Sequence, residues 1–272
     1  MKKSLLATLV AGSILGWAAV ASADQDPLIP APEGKFIGNV TGVTEYWARG
    51  IRQTNPGTGA FQGSVEYDHP SGVYLGAWGS NSQLTQSPRD TKTVTANVEM
   101  DFSAGYRNAF DFDNKATYDV GLIYYYYPGT QHADLDFSWL DAMAKVGYDF
   151  GFAAPSLKLL VSPNMQYESG NAEYLALDVA IPVLQYFTVT PHVGYQMVQK
   201  NDRYGTPDYT DYGLAVGTNI AGLDVALSYV GTDRHKTQSF DGLRNQAVCG
   251  NSGCDGFYLS RSEEHTSELQ SH

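Results

Sequence analysis

DYTDYGLAVGTNIAGLDVALSYVGTDR, residues 208–234, decides how the rest of the chain is read. Tyr212, Leu214, Val216 and Ile220 share one face of its first run, and Gly213, Ala215, Gly217 and Asn219 share the other. In its second run Leu223, Val225, Leu227 and Tyr229 alternate with Asp224, Ala226 and Ser228, and the two runs meet at Ala221-Gly222. A period of two over about ten residues is the signature of a strand with unlike faces. About ten residues is also what a tilted strand needs to cross a bilayer.

The unit recurs. Twelve strand-like runs lie near 36–47, 60–68, 73–81, 94–107, 116–127, 137–150, 157–167, 173–184, 188–198, 209–220, 223–232 and 256–260. Links after even runs are short: HPSG at 69–72, the turn at 108–115, FAAP at 152–155, 185–187 and 221–222. Links after odd runs are longer and polar, except ESGNA at 168–172. Short turns on one rim and long loops on the other predict an all-β transmembrane, antiparallel up-and-down β-barrel of about twelve strands, with the short turns periplasmic and the longer loops extracellular.

Along the fourth run Ala96, Val98, Met100, Phe102, Ala104 and Tyr106 are expected to face lipid. Tyr46, Trp47, Tyr124 to Tyr127, Trp139, Tyr148, Phe150, Tyr186 and Phe187 gather near strand ends and read as interfacial girdles. Pro163, Pro182 and Pro191 fall inside predicted strands of a sheet without edges, so they are expected at bulges or strand ends.

Composition agrees. Nineteen Tyr and 28 Gly with 17% charged residues suit pleated surfaces and tight turns. A net charge of −12 argues against a nucleic-acid partner, which needs clustered Lys and Arg. Residues 1–23 read as an export signal: Lys2 and Lys3, an apolar stretch from Leu5 to Val20, then Ala21-Ser22-Ala23 for cleavage after Ala23. Residues 24–35 form a Pro-rich leader, and 36–260 the barrel. Cys249 and Cys254, in CGNSGC of an exported chain, are a candidate disulfide; two thiols without a nearby His leave zinc short of ligands, so no metal is expected. The end of the chain, RSEEHTSELQSH at 261–272, is polar and aperiodic and looks like a non-native, adapter-like tail that truncates the closing strand.

Several segments together resemble the TorF family of proteobacterial proteins: GNVTGVTEYWARGIRQT at 38–54, GAFQGSVEYDHPSGVYLGAWGSN at 59–81, YDVGLIYYYYPG at 118–129 and the stretch at 208–234. The resemblance covers about 36–260. It implies a porin: an outer-membrane β-barrel with a pore function.

The alternation places Glu45, Glu66, Glu99, Asp101, Asp119, Asp141, Asp178 and Asp224 in the lumen as pore-lining candidates, with Arg107, Lys145 and Lys158 opposing them. Acidic rings in a water-filled lumen favour cations. The reading is therefore a passive channel for small hydrophilic solutes or ions, biased toward cations, in the outer membrane of a Gram-negative bacterium. Its partners would be outer-membrane lipid and lipopolysaccharide, small hydrophilic solutes or ions, and the barrel-assembly machinery, with no cofactor. The alternative is a non-conducting barrel with adhesive or surface-binding loops. A third, an outer-membrane lipid hydrolase, would need His192 beside Ser162 and Asp178, and no catalytic motif supports it. The protein is read as a non-enzyme. Arg49, Arg52 and Arg89 read as solvated loop residues.

Overall fold

The computed structural model describes residues 33–86, 94–131, 136–200, 208–233 and 255–269. In chain order these form β1 (Gly34–Val43), β2 (Trp47–Ala48), β3 (Ile51–Arg52), β4 (Ala60–Asp68), β5 (Val73–Gln86), β6 (Val94–Phe110), β7 (Asp113–Tyr126) and β8 (Trp139–Tyr148). There follow β9 (Ala154–Ser162), β10 (Ala172–Val183), β11 (Phe187–Val198), β12 (Tyr209–Ile220), β13 (Leu223–Thr232) and β14 (Asp255–Leu269). A single helical turn, Gln166–Glu168, interrupts the β9–β10 link.

Twelve strands close one antiparallel barrel, each next to its chain neighbour, with β14 pairing β1 to shut the ring; β2 and β3 form a separate two-stranded ladder. Closure leaves no unpaired sheet edge, which a bilayer requires because it offers backbone groups no hydrogen bonds. The outer face is apolar: Leu122, Leu157, Leu175, Leu214 and Leu227 all point outward and are exposed. The intervening residues turn into the lumen, as the alternating burial of β8 and β9 records.

Residues 208–233 fold as read, with β12 and β13 in register from Ile220–Leu223 to Asp211–Thr232. Its turn takes left-handed backbone at both Ala221 (φ 54°) and Gly222 (φ 89°), the mirror-image turn whose twist matches a hairpin. The other even links are short as well, none longer than the five residues 149–153. The β6–β7 turn is shorter than expected, at residues 111–112, because both strands run about three residues further. Phe112 and Phe152 are 81% and 74% exposed there, beside Phe110, Tyr148 and Phe150, and make an aromatic cluster at the short-turn rim.

The prolines sit where a missing N–H does least harm. Pro163 follows the last residue of β9, Pro182 is next to last in β10, and Pro191 faces a gap in the β10–β11 ladder between the Asp178–His192 and Ile181–Val189 pairs.

Four expectations need correction. The first strand ends at Val43, not 47, because the chain leaves the wall and turns inward. Tyr46, Trp47, Tyr125, Tyr127 and Trp139 are consequently not girdle residues: Tyr46 rests on Trp78, Trp47 on Arg52, and the other three stack together inside the barrel. Ala96 is fully buried in a cluster with Tyr127, Phe137, Trp139 and Tyr167 rather than facing lipid. Finally, β14 does not stop at residue 260. Its backbone continues to Leu269 along β1, since strand pairing needs only main-chain groups, but this places Arg261, Glu263 and His265 on the same outward face as Phe257 and Leu259. The export signal, the leader up to residue 32, the two cysteines and Arg89 lie outside the described residues.

Candidate functional site: a lumen crossed by a hairpin

Between β1 and β4 the chain folds into the barrel. β2 and β3 pair Trp47 with Arg52 and Ala48 with Ile51, and the tip between them is Arg49-Gly50, both left-handed (φ 47° and 72°). This is again the turn that joins two strands most tightly. Glu45 holds the base together: it accepts from Trp47 Nε1 at 3.2 Å, Arg52 Nε at 3.1 Å and the Gly57 amide at 3.0 Å. The returning limb is fastened to β5, where the Gln83 amide donates to the Gln53 carbonyl at 2.7 Å and the Asn55 amide to Gln83 Oε1 at 2.8 Å.

The tip reaches the far wall. Twelve tilted strands about 4.8 Å apart enclose a backbone ring roughly 24 Å across, and β9 lies six steps from β1 in either direction. Arg49 touches the strands around that point. Its guanidinium donates to Tyr125 Oη on β7 at 3.2 Å, to Gln196 Oε1 on β11 at 3.1 Å, and to Asp141 on β8. It also lies 5.2 Å from the Tyr174 ring centre and 5.8 Å from that of Trp139. Tyr209 Oη donates to the Arg49 carbonyl at 2.9 Å. Burial works against the Arg49 charge, yet Tyr125 and Asp141 hold it above the ordinary guanidinium value. Gly50 packs so closely that a Cβ there would stand 2.4 Å from Asp211 Cβ and 2.6 Å from Thr232 Cγ2. Tyr46 lies against Glu99, and burial together with the Glu99 and Asp101 carboxylates pushes its hydroxyl well above its usual value.

The remaining lumenal charges lie mainly toward the short-turn half. Arg107 pairs with Glu66 and Asp68 and lies 4.5 Å over Tyr74. Tyr74 Oη donates to Asp119 at 2.9 Å, and its ring crosses Gly105 and Gly121, where a side chain would collide with it. Cross-strand register then runs Arg107–Asp119, Asp119–Lys145 and Lys145–Lys158. Further round, His192 places Nδ1 2.7 Å from Asp178 and Nε2 2.8 Å from Asp211, with Tyr174 Oη 3.2 Å from the same Asp211 oxygen.

The structure thus distributes the sequence-derived candidates unevenly. Glu99, Asp101 and Asp141 gather round the hairpin, and Glu45 belongs to the hairpin itself rather than to the wall. Glu66, Arg107, Asp119 and Lys145 share the lower lumen. Asp224 stays apart at the short-turn rim, bound by Asn219 Nδ2 at 2.8 Å. Arg49 and Arg52, expected in solvent, are the residues that sequence reasoning missed. The signal was there: a residue pair able to take left-handed turn backbone, flanked by short β-prone pairs, inside a loop read as open. The hydrolase trio does not form. Ser162 Oγ donates to the Leu140 carbonyl at 2.9 Å and stands opposite Ala172, roughly 20 Å along β10 from Asp178. Both His192 nitrogens face carboxylates, so neither is left to act as a base.

Residues 30–254 match the family described as "Bacterial protein of unknown function (Gcw_chp)". The chain belongs to the Gcw_chp family. No curated protein matches it. Among solved structures this Gcw_chp chain is similar to the KdgM porin, with TM-score 0.51 at 6% identity over 85% of this chain and 98% of that one. It is likewise similar to the NanC porin, with TM-score 0.51 at 12% identity over 83% and 98%. At such identities the likeness is one of fold: a closed antiparallel barrel, shared with porins.

Proposed function

We propose that this Gcw_chp protein is a porin-like channel of the Gram-negative outer membrane, through which small hydrophilic solutes or ions diffuse passively, past a constriction made by the β2–β3 hairpin. The observation that carries the reading is the joining of an apolar outer surface to a polar, charge-lined lumen in one closed ring. Such a wall fits a bilayer, and its charge-lined interior is where a polar route across the bilayer runs in this reading. The fold shared with two porins and the resemblance to the TorF family support the same conclusion.

In this reading the signal at 1–23 exports the chain, the assembly machinery inserts it among lipid and lipopolysaccharide, and the short turns face the periplasm. The hairpin then hangs from the outer half of the barrel. Mechanistically the wall does no chemistry; it excludes lipid, supplies hydrogen-bonding groups to replace hydration, and sets width. The bias toward cations, argued from a count of acids, loses weight because Arg49, Arg107 and His192 pair with Asp141, Glu66 and Asp178, and Tyr74 donates to Asp119.

One observation favours the rival, a barrel that folds but does not conduct: the hairpin is fastened at its base, its flank and its tip. The deciding experiment is single-channel recording of the wild type and of a variant with residues 46–57 replaced by a short Gly-Ser link. Small discrete steps that grow in the variant support a constricted channel. Silence from the wild type with large steps from the variant means a plug. Silence from both, with the barrel folded as judged by heat-modifiable mobility, overturns the channel reading.

A further inference from the structure

Lys145 on β8 and Lys158 on β9 are directly opposed in the antiparallel register, and the alternating burial of both strands turns both toward the lumen. Like charges facing each other across a strand pair are unfavourable, so such a rung normally has counter-charges at hand. Here the neighbouring acids are occupied. Asp119, across from Lys145, accepts from Tyr74 Oη at 2.9 Å. Asp178, one step along β10, accepts from His192 Nδ1 at 2.7 Å, and Asp211 faces Nε2 of the same ring. Asp141, four residues from Lys145 on β8, is taken by Arg49. Among the described residues neither ammonium has a hydrogen bond or a close ion pair, although the field of Asp178 reaches Lys158. Arg49 adds a third positive charge to the same wall from above.

We propose that the Lys145–Lys158 rung is a binding site for a small multivalent oxyanion, a di- or tricarboxylate or a phosphate, reached from the short-turn half of the lumen. Two ammonium groups on adjacent strands lie about 5 Å apart at their Cβ atoms. Their flexible stems bring up to six N–H donors onto one anion. The bound anion supplies the direct contacts that Asp119 and Asp178, whose fields reach the two lysines, do not make. The inference deepens the channel reading of the same lumen by naming a solute class.

The test measures binding and conduction separately. Calorimetric titration of the detergent-folded barrel at low ionic strength uses citrate and inorganic phosphate as probes. Saturable binding is expected in the wild type, weakened at least tenfold in Lys145→Met/Lys158→Met and kept in Lys145→Arg/Lys158→Arg. The single variants Lys145→Met and Lys158→Met, each with an intermediate loss, serve if the double variant does not fold. No binding by the folded wild type, or equal affinity in the methionine variants, overturns the site. If citrate binds but no current flows in bilayers, the site stands and the channel reading falls. Current with no citrate binding sinks the site alone.

Discussion

Arg49 and Asp141 stand 92 positions apart in the chain, one on the tip of the inward hairpin and one on the far wall, and they form an ion pair in which the Asp141 side chain is 1% exposed. The pair converts a surface loop into a strut across the lumen. Removing one partner of a buried pair leaves an uncompensated charge and costs about 3–5 kcal/mol. Arg49→Ala should therefore lower the urea midpoint of the folded barrel, and conductance should rise as the tip is released. Asp141→Asn, which keeps a hydrogen-bond acceptor, should cost less.

Gly50 tests the strut without touching charge. Its left-handed backbone and the 2.4 Å approach of a built Cβ to Asp211 leave no space for a side chain. Gly50→Ala should add about 1–3 kcal/mol of strain, displace the tip, and raise conductance while ion selectivity stays unchanged. An unchanged single-channel step would argue that the hairpin does not set the width.

Tyr74 lies flat on the wall because Gly105 and Gly121 leave it room; a Cβ at Gly105 would meet Tyr74 Oη at 2.5 Å and the Val120 carbonyl at 2.6 Å. Gly105→Ala should destabilise the barrel by about 1–3 kcal/mol through overpacking, read as a lower midpoint in urea. Tyr74→Phe at the same wall should cost less, since it removes only the hydroxyl that meets Asp119.

The closing strand offers a gain rather than a loss. Arg261, Glu263 and His265 face outward beside Phe257 and Leu259. Charge on a lipid face costs about 2–4 kcal/mol for Arg at the bilayer midplane and about 0–1 near the interface. Arg261→Leu, Glu263→Val and His265→Phe together should raise the temperature at which the folded electrophoretic band disappears. A fall in that temperature would mean that these positions do not lie against lipid.

The sequence by itself determined the strand count, the antiparallel order and the sorting of links between two rims. Those are readable because a strand that separates lipid from water must alternate at period two, and the 208–234 hairpin states that rule in one glance. Parity also put Glu66, Glu99, Asp119 and Lys145 on the inward face, but it put Glu45 on the wall, which the chain has already left at Val43. What it left open was everything that depends on distance across the barrel. The alternation that placed Tyr125 and Trp139 cannot say that they stack at 4.2 Å under Arg49, nor that Asp119 and Asp178 are already engaged while Lys145 and Lys158 are not. A loop's inward or outward course leaves little periodic trace, because its few residues contact strands far away in sequence. Only the closed ring, by bringing β7, β8, β10 and β11 within reach of a turn after β1, decided that Arg49 would end in the lumen rather than in solvent.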